Sequence, residues 1–395
     1  MATTGGRLRL GMIGGGKGSQ IGDSHRLAAR LDDRYVLAAG ALDIDPARGR
    51  DFALELGIAP DRAYADWRAM VAGERARPDP VELVTIATPN ATHHPIAKAF
   101  LEAGIAVLCE KPLATSSRDA LELCRITRRR GLIGAVMYGY SGYPLVRQAR
   151  AMVRDGALGR IRVVRAEFAH GGHVTDVERD SNNVAWRYDP AIAGPSGVLA
   201  DAGSHALHMI AWIIGQDVAE LSAHFDRIVP SRRLEDNAFV TLRYDGGAVG
   251  TLWASSVALG HRHGLRWEIF GDRASLAWQQ EHPNHLVHCL VGESPRLIER
   301  DGPGTDPWSR RSGRVSGGHS EGYFVAWANL YRDLADAIAA RRSGKDVDAA
   351  AYGLPDLVDG AKGVRCIEAA VESAGRDGAW VSAQLPDETR EGSEQ

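Results

Sequence analysis

An α/β domain followed by an α+β domain is predicted for this chain. The first is a doubly wound parallel sheet with helices on both faces. The second is built on a large, mostly antiparallel sheet. Three observations predict this. The first 140 residues alternate short apolar runs with helical patterns, which implies parallel strands joined by crossover helices. After a linking helix over 144–155, strand-like runs follow one another with few helices between them, as in an antiparallel or mixed sheet. The length of 395 residues exceeds one ordinary domain and suits two.

In the first region the strand candidates are 8–13, 35–42, 81–87, 106–109 and 133–137. Helical patterns fill about 22–31, 46–56, 95–103 and 116–130, and Gly57, Gly104 and Gly131 follow three of them where a left-handed cap belongs. The second region begins with a helix over 201–214. Strand candidates follow at 219–229, 237–244, 248–256, 266–270, 274–279 and 285–291. Gly246 and Gly247 read as a hairpin turn. Residues 295–319, rich in Gly, Pro, Ser and Arg, read as a long loop, and helices over 321–342 and 353–374 close the chain. The expected boundaries are 1–140 for the first domain, 141–385 for the second, and 386–395 for a polar, disordered tail.

Composition narrows the function. The chain is 44% apolar and 25% charged with a formal net charge of −3, so no basic nucleic-acid footprint is present. Its most apolar stretch, 198–215, contains Asp201, His205 and His208 and is too short and polar to span a membrane. Cys109, Cys124, Cys289 and Cys366 form no C-x-x-C and sit within apolar patterns. They are expected to be reduced and buried, and the protein cytoplasmic.

The first strand runs into "GMIGGGKGSQIGDSH". A dinucleotide loop needs glycines for close approach to the pyrophosphate, and a helix N-terminus to receive its charge. Gly14 and Gly16 supply the first two, while Gly18 and Gly22 are candidates for the third. Asp43 ends the second strand, where a carboxylate accepts the ribose hydroxyls and repels a 2′-phosphate, favouring NAD over NADP. Arg48 lies close enough to blur that preference. Ligands of open α/β sheets bind beyond the carboxyl ends of the strands. "TPNATHH" (88–94), Glu110-Lys111-Pro112 and "MYGYSGYP" (137–144) all fall there. In the second region Asp201 and His205 are four apart and share a helix face; the carboxylate can set the tautomer and pKa of the imidazole. His170 and His173 follow a strand and are placed to line a substrate site, as are Trp186 and Arg187. An aromatic face suits a sugar ring and an arginine suits a polar rim. His282, His285 and His288 fall across a Pro-Asn turn that separates them, so no metal site is expected.

Together these residues resemble the Gfo/Idh/MocA oxidoreductase family over nearly the whole chain. E-K-P at 110–112 and the D-x-x-x-H of Asp201 and His205 carry the resemblance, with T-P-N-x-x-H at 88–93 and W-R-x-D-P at 186–190. The departure is a three-residue insertion after Gly16, which makes Gly22 the counterpart of the last glycine of the usual loop. The resemblance implies an N-terminal Rossmann domain that binds NAD, with NADP possible, through Gly14, Gly16, Gly18, Ile21, Gly22, Asp43, Thr88, Pro89, Asn90, His93, Glu110 and Lys111. It implies that Lys111 faces the nicotinamide and the reacting hydroxyl, that Glu110 lies near the nicotinamide ribose, and that the peptide at Pro112 is unusual, often cis. Tyr140, His173, Trp186 and Arg187 would join Lys111, Asp201 and His205 around the substrate. That substrate is a sugar, cyclitol or sugar derivative, oxidised at a secondary hydroxyl with Lys111, Asp201 and His205 as the catalytic set. A homodimer or homotetramer is also implied, with sheets packed between subunits. Two other activities occur among similar proteins: NAD-dependent glycoside hydrolysis through transient oxidation, and non-catalytic regulation.

Overall fold

The structure is a computed structural model that describes residues 6–179, 182–345, 347 and 352–386. It divides into two compact units. The first comprises 1–114, 118–142 and 323–360; the second comprises 115–117, 143–322 and 361–395.

The first unit holds five parallel strands: β1 (Leu8–Gly14), β2 (Tyr35–Ala41), β3 (Leu83–Ala87), β4 (Ala106–Cys109) and β5 (Gly134–Val136), in the order β2-β1-β3-β4-β5. β3, β4 and β5 are almost wholly buried, which explains their unbroken apolar runs. The helices are α1 (Gln20–Arg30), α2 (Pro46–Glu55), α3 (Trp67–Arg75), α4 (His93–Glu102) and α5 (Ser117–Arg130). The three capping glycines have positive φ, at 81°, 83° and 58°. Helix α3 is absent from the sequence expectation. It spans only nine residues, and although Trp67, Met70 and Val71 share a face, only Met70 and Glu74 are buried along it.

The helix Tyr323–Arg342 also belongs to this unit, although the boundary at 141 assigns it to the second. Its Trp327, Leu330, Tyr331 and Leu334 pack in one core with Leu8, Leu10, Tyr35, Leu83 and Leu108, and Tyr35 Oη donates to Tyr331 O at 2.8 Å. Sequence order hides this return of the chain.

The second unit holds nine strands: β6 (Ile161–Ala169), β7 (Val218–Asp226), β8 (Asn237–Tyr244), β9 (Val249–Ser255), β10 (Arg266–Gly271), β11 (Ala274–Gln279), β12 (His285–Leu290), β13 (Arg296–Glu299) and β14 (Val381–Ser382). Their order is β13-β12-β11-β10-β6-β9-β8-β7-β14. β6 and β9 run parallel, and the other pairs are antiparallel. Burial alternates cleanly along β8, where Ala238, Val240 and Leu242 face inward while Phe239, Thr241 and Arg243 face outward. One sheet face is therefore core and the other is open. The segment 295–319 is not all loop. It contains β13, a short exposed edge strand paired to β12, and a helical turn Pro307–Arg311 that Asp306 caps. Cys109, Cys124 and Cys366 are free and buried as expected, while Cys289 is only half-buried. The proposed tail beyond Pro386 lies outside the described residues. Among the described residues no helix is long and apolar enough to cross a membrane.

Candidate active site

The candidate dinucleotide-binding residues lie in the first unit, where glycine packing is informative. Gly14 ends β1 with φ +75°, and a Cβ there would sit 2.5 Å from Ala87 O. Gly15 has φ +68°, and Gly22 lies so close that a Cβ on it would sit 2.3 Å from Gly15 O. Gly16 passes over the end of β2, where a Cβ would lie 2.8 Å from Leu42 O and 3.0 Å from Asp43 Oδ2. Gly18 meets nothing within 4 Å, so its φ of +83° alone explains it. Close packing thus demands glycine at 22 and at 15, a position the motif did not single out, whereas at 18 only the backbone conformation does. Ser19 caps α1 by accepting from Gly22 N at 3.1 Å. Ile21 packs its side chain against the core. The loop lies against the start of α1 and beside Asp43, which fits a dinucleotide: a bare-backbone cradle, a helix N-terminus and a ribose acceptor. The Asp43 carboxyl is held below the usual carboxylate range, chiefly by its bond from Arg48.

At the carboxyl ends of β3 and β4, His93 joins two loops. It is fully buried, with Nδ1 2.7 Å from Pro112 O and Nε2 2.7 Å from Thr88 O. Burial lowers its pKa while the two carbonyls oppose that shift. Asn90 is buried beside it in sequence, and Thr88 and Pro89 are more open. The Lys111–Pro112 peptide is cis. Lys111 is half-buried. Its neighbour Glu110 points inward: Oε1 lies 3.1 Å from His25 Nε2, and Oε2 accepts Lys111 N at 3.1 Å. His25 Nδ1 in turn meets Tyr331 Oη at 2.8 Å, and Tyr331 Oη meets Thr85 Oγ1 at 2.9 Å. Glu110 is therefore engaged by a buried network, whereas the resemblance implies a position near a ribose. His25 and Tyr331 are 306 residues apart, beyond the reach of any spacing argument. Tyr140 is buried in the same unit, with its ring 6.1 Å from that of Tyr323.

The second unit carries the other candidate substrate residues, His173, Trp186, Arg187, Asp201 and His205. The helix bearing Asp201 and His205 opens with a π-turn, Leu199–Gly203, and continues as Ser204–Ile214. Such widened turns occur often at functional sites. Glu235 anchors its start, accepting from Ser196 Oγ at 2.6 Å, Gly197 N at 2.8 Å and Leu199 N at 3.2 Å. Asp201 Oδ2 lies 3.3 Å from Arg187 Nε, and that guanidinium sits 4.7 Å over the Trp186 ring. This ion pair is a partner for Asp201 that the helical spacing did not foretell. His205 is buried, its ring 6.0 Å from Phe168.

Around these stand groups that the sequence did not assemble. His173 Nδ1 lies 2.8 Å from Tyr188 Oη, which is 3.1 Å from Ser256 Oγ. Arg232 lies 4.2 Å over the Tyr188 ring, pairs with Asp236 at 3.0 Å and donates to His173 O at 2.6 Å. Gly172 N donates to His170 Nδ1 at 3.1 Å, which leaves the proton of a neutral ring on Nε2. Burial lowers the pKa of His170 and pushes that of His173 down to about 4; the charge of Asp201 opposes both shifts. The result is a patch of neutral donors and acceptors flanked by the carboxylate–guanidinium pairs Asp201–Arg187 and Asp236–Arg232, suited to hydroxyl groups.

Comparison with known proteins identifies the lineage. Residues 8–140 match the model described as the oxidoreductase family, NAD-binding Rossmann fold. Residues 146–277 match the GFO/IDH/MocA C-terminal domain. The chain belongs to the Gfo/Idh/MocA oxidoreductase family. It is 42% identical to the uncharacterized oxidoreductase YfiI of Bacillus subtilis over 95% of this chain and 96% of the relative. It is similar to the crystal structure of an inositol dehydrogenase homolog complexed with NAD+ from Azotobacter vinelandii, with a TM-score of 0.92 and 43% identity over 95% of this chain and 97% of that one. It also resembles levoglucosan dehydrogenase in complex with NADH and levoglucosan, with a TM-score of 0.83 and 25% identity over 96% of this chain and 100% of that one. Within the Gfo/Idh/MocA family this chain is an NAD-binding oxidoreductase. Its Rossmann unit and its large sheet are the two parts of the family fold.

Proposed function

We propose that this protein is a dehydrogenase that oxidises a secondary hydroxyl of a cyclitol or sugar, using NAD bound at Gly14, Gly16, Gly22 and Asp43. The observation that carries this reading is His205, a buried imidazole four residues after Asp201, whose ring lies beside Phe168, as does the ring of His170. Solved relatives with myo-inositol or levoglucosan support the substrate class. Bound NAD supplies the acceptor for the hydride leaving the carbinol carbon. His205 takes the hydroxyl proton as that hydride leaves, so charge and atoms balance. Asp201 orients the imidazole and offsets its positive charge. Lys111 holds the substrate oxygen and stabilises negative charge developing on it. Arg187 and Trp186 form the rim that orients the ring, and the hydroxyls of Tyr188 and Ser256 bind those of the substrate.

We also propose a homo-oligomer. The outer face of the sheet carries exposed Val163, Phe239, Val249, Val287 and Leu297 and forms a concavity of about 860 Å³ lined by Phe239, Thr251, Trp253, Glu268, Ala277 and Val287. That concavity lies on the face opposite the strands' core side, and a second copy is the occupant the family resemblance favours.

A panel of inositols, sugars and anhydrosugars with NAD, followed by nicotinamide absorbance, tests the activity. Stoichiometric growth of reduced cofactor with a polyol is expected. Release of an aglycone without net absorbance change indicates the hydrolase chemistry instead, and NAD binding with no turnover on any substrate indicates a regulator.

A further inference from the structure

Asp43 is held from two sides. A Cβ on Gly16 would lie 3.0 Å from its Oδ2, and a Cβ on Gly49 would lie 3.0 Å from its backbone N. The glycine loop therefore runs against the carboxylate, and α2 against the main chain. Asp45 caps α2, accepting from Ala47 N and Arg48 N. The cap fixes Arg48 in the first turn, where a side chain leans back toward the helix start. There the guanidinium grips Asp43 with two arms, Nε to Oδ2 at 2.8 Å and Nη2 to Oδ1 at 2.6 Å. Asp45 N adds a third bond to Oδ1 at 3.0 Å. A carboxylate offers about four lone-pair sites, so a ribose diol that needs two of them finds the group largely taken. The side chain of Arg48 is 61% exposed and that of Asp43 is 15% exposed. Of the two partners, the arginine is the one able to move.

We propose that Arg48 is a cofactor-selectivity residue. By occupying Asp43 it weakens the hold on the adenosine ribose of NAD, and by turning outward it offers a cation to the 2′-phosphate of NADP, so that the protein accepts both cofactors. A lone carboxylate at this place repels a 2′-phosphate; a carboxylate paired to a mobile guanidinium does not. The inference rests on Asp43 being the ribose acceptor.

The test is direct titration of NAD and NADP, by calorimetry or tryptophan quenching, with wild type, Arg48→Ala and Asp43→Asn. Arg48→Ala should weaken NADP on the order of tenfold while NAD binds as well or better, and added salt should weaken NADP more than NAD in wild type. Asp43→Asn should weaken NAD more than NADP. An Arg48→Ala variant that loses both cofactors equally, or keeps wild-type NADP affinity, overturns the proposal. If Asp43→Asn leaves NAD affinity unchanged, the ribose reading of Asp43 fails and the competition between Arg48 and NAD fails with it. An altered NADP affinity in Arg48→Ala then reports the phosphate contact alone.

Discussion

The candidate residues of the two units are arranged by different means. In the first unit, main chain does most of the work: glycines stripped of side chains, carbonyls gripped by His93, and the peptide amide of Lys111 tied to Glu110. In the second unit, side chains do it: Arg187 on Asp201, Tyr188 between His173 and Ser256, and Arg232 beneath that tyrosine. The difference follows from the ligands. A dinucleotide presents a pyrophosphate of fixed shape, which a main-chain cradle suits. A ring with several hydroxyls needs several donors and acceptors at chosen points.

If cofactor binding and catalysis rest on separate sets of residues, a change in one set should leave the other's function standing. The largest expected effect is in Lys111→Ala. Removing one preorganised electrostatic contact lowers kcat by on the order of 10²–10³, while NAD binding, carried by the glycine cradle, stays near wild type. A Lys111→Ala enzyme with wild-type kcat reduces the lysine to a strand-end charge.

Next is Gly22→Ala. The added Cβ would lie 2.3 Å from Gly15 O, an atom of backbone that cannot swing aside. Overpacking of this kind costs about 1–3 kcal/mol, so NAD affinity should fall by roughly tenfold or more. The same change at Gly18, where nothing lies within 4 Å, strains only the backbone and should cost less. Equal losses at both positions erase the distinction drawn from packing.

On the substrate side, Tyr188→Phe removes the hydroxyl shared with His173 and Ser256. A net hydrogen bond is worth about 0.5–1.5 kcal/mol, so KM for the polyol should rise about two- to tenfold with the NAD Kd unchanged. A shift in the NAD Kd instead breaks the division.

The smallest effect concerns stability. His208 is 7% exposed, and burial, followed by Arg150 and Lys362, pushes its pKa from 6.5 down to about 3. A histidine depressed in the folded state binds its proton more readily when unfolded, so stability is full above about pH 6.5 and is lost as pH falls from there toward 3. Each such group contributes at most about 1.4 kcal/mol per pH unit. Denaturant unfolding between pH 7 and 5 should show this slope, and His208→Leu should flatten it. An unchanged slope assigns the acid sensitivity to other groups.

What sequence made legible follows the same divide. The glycine loop, Asp43, the capping glycines and the alternation of β8 are local patterns, and local patterns survive translation into structure. The network from Thr85 through Tyr331 and His25 to Glu110 spans distant parts of the chain, and no period connects its members. The same holds for the return of Tyr323–Arg342 to the first unit. Asp201 and His205 were visible as an i, i+4 pair, but the π-turn beneath Asp201 and its bond to Arg187 were not. Glu235, which accepts from Ser196, Gly197 and Leu199 beside that turn, comes from another part of the chain.

The central claim is that His205 carries the proton while the first unit alone holds the cofactor. Single-turnover absorbance of His205→Ala with NAD and an oxidisable polyol, measured across pH beside a parallel NAD titration, tests it most directly. Wild-type oxidation should rise with pH as the imidazole becomes neutral. The variant should bind NAD as wild type does, yet transfer hydride on the order of 10² more slowly and without that rise. A variant that keeps both the rate and the pH dependence contradicts the account and sends the proton through Lys111 or solvent.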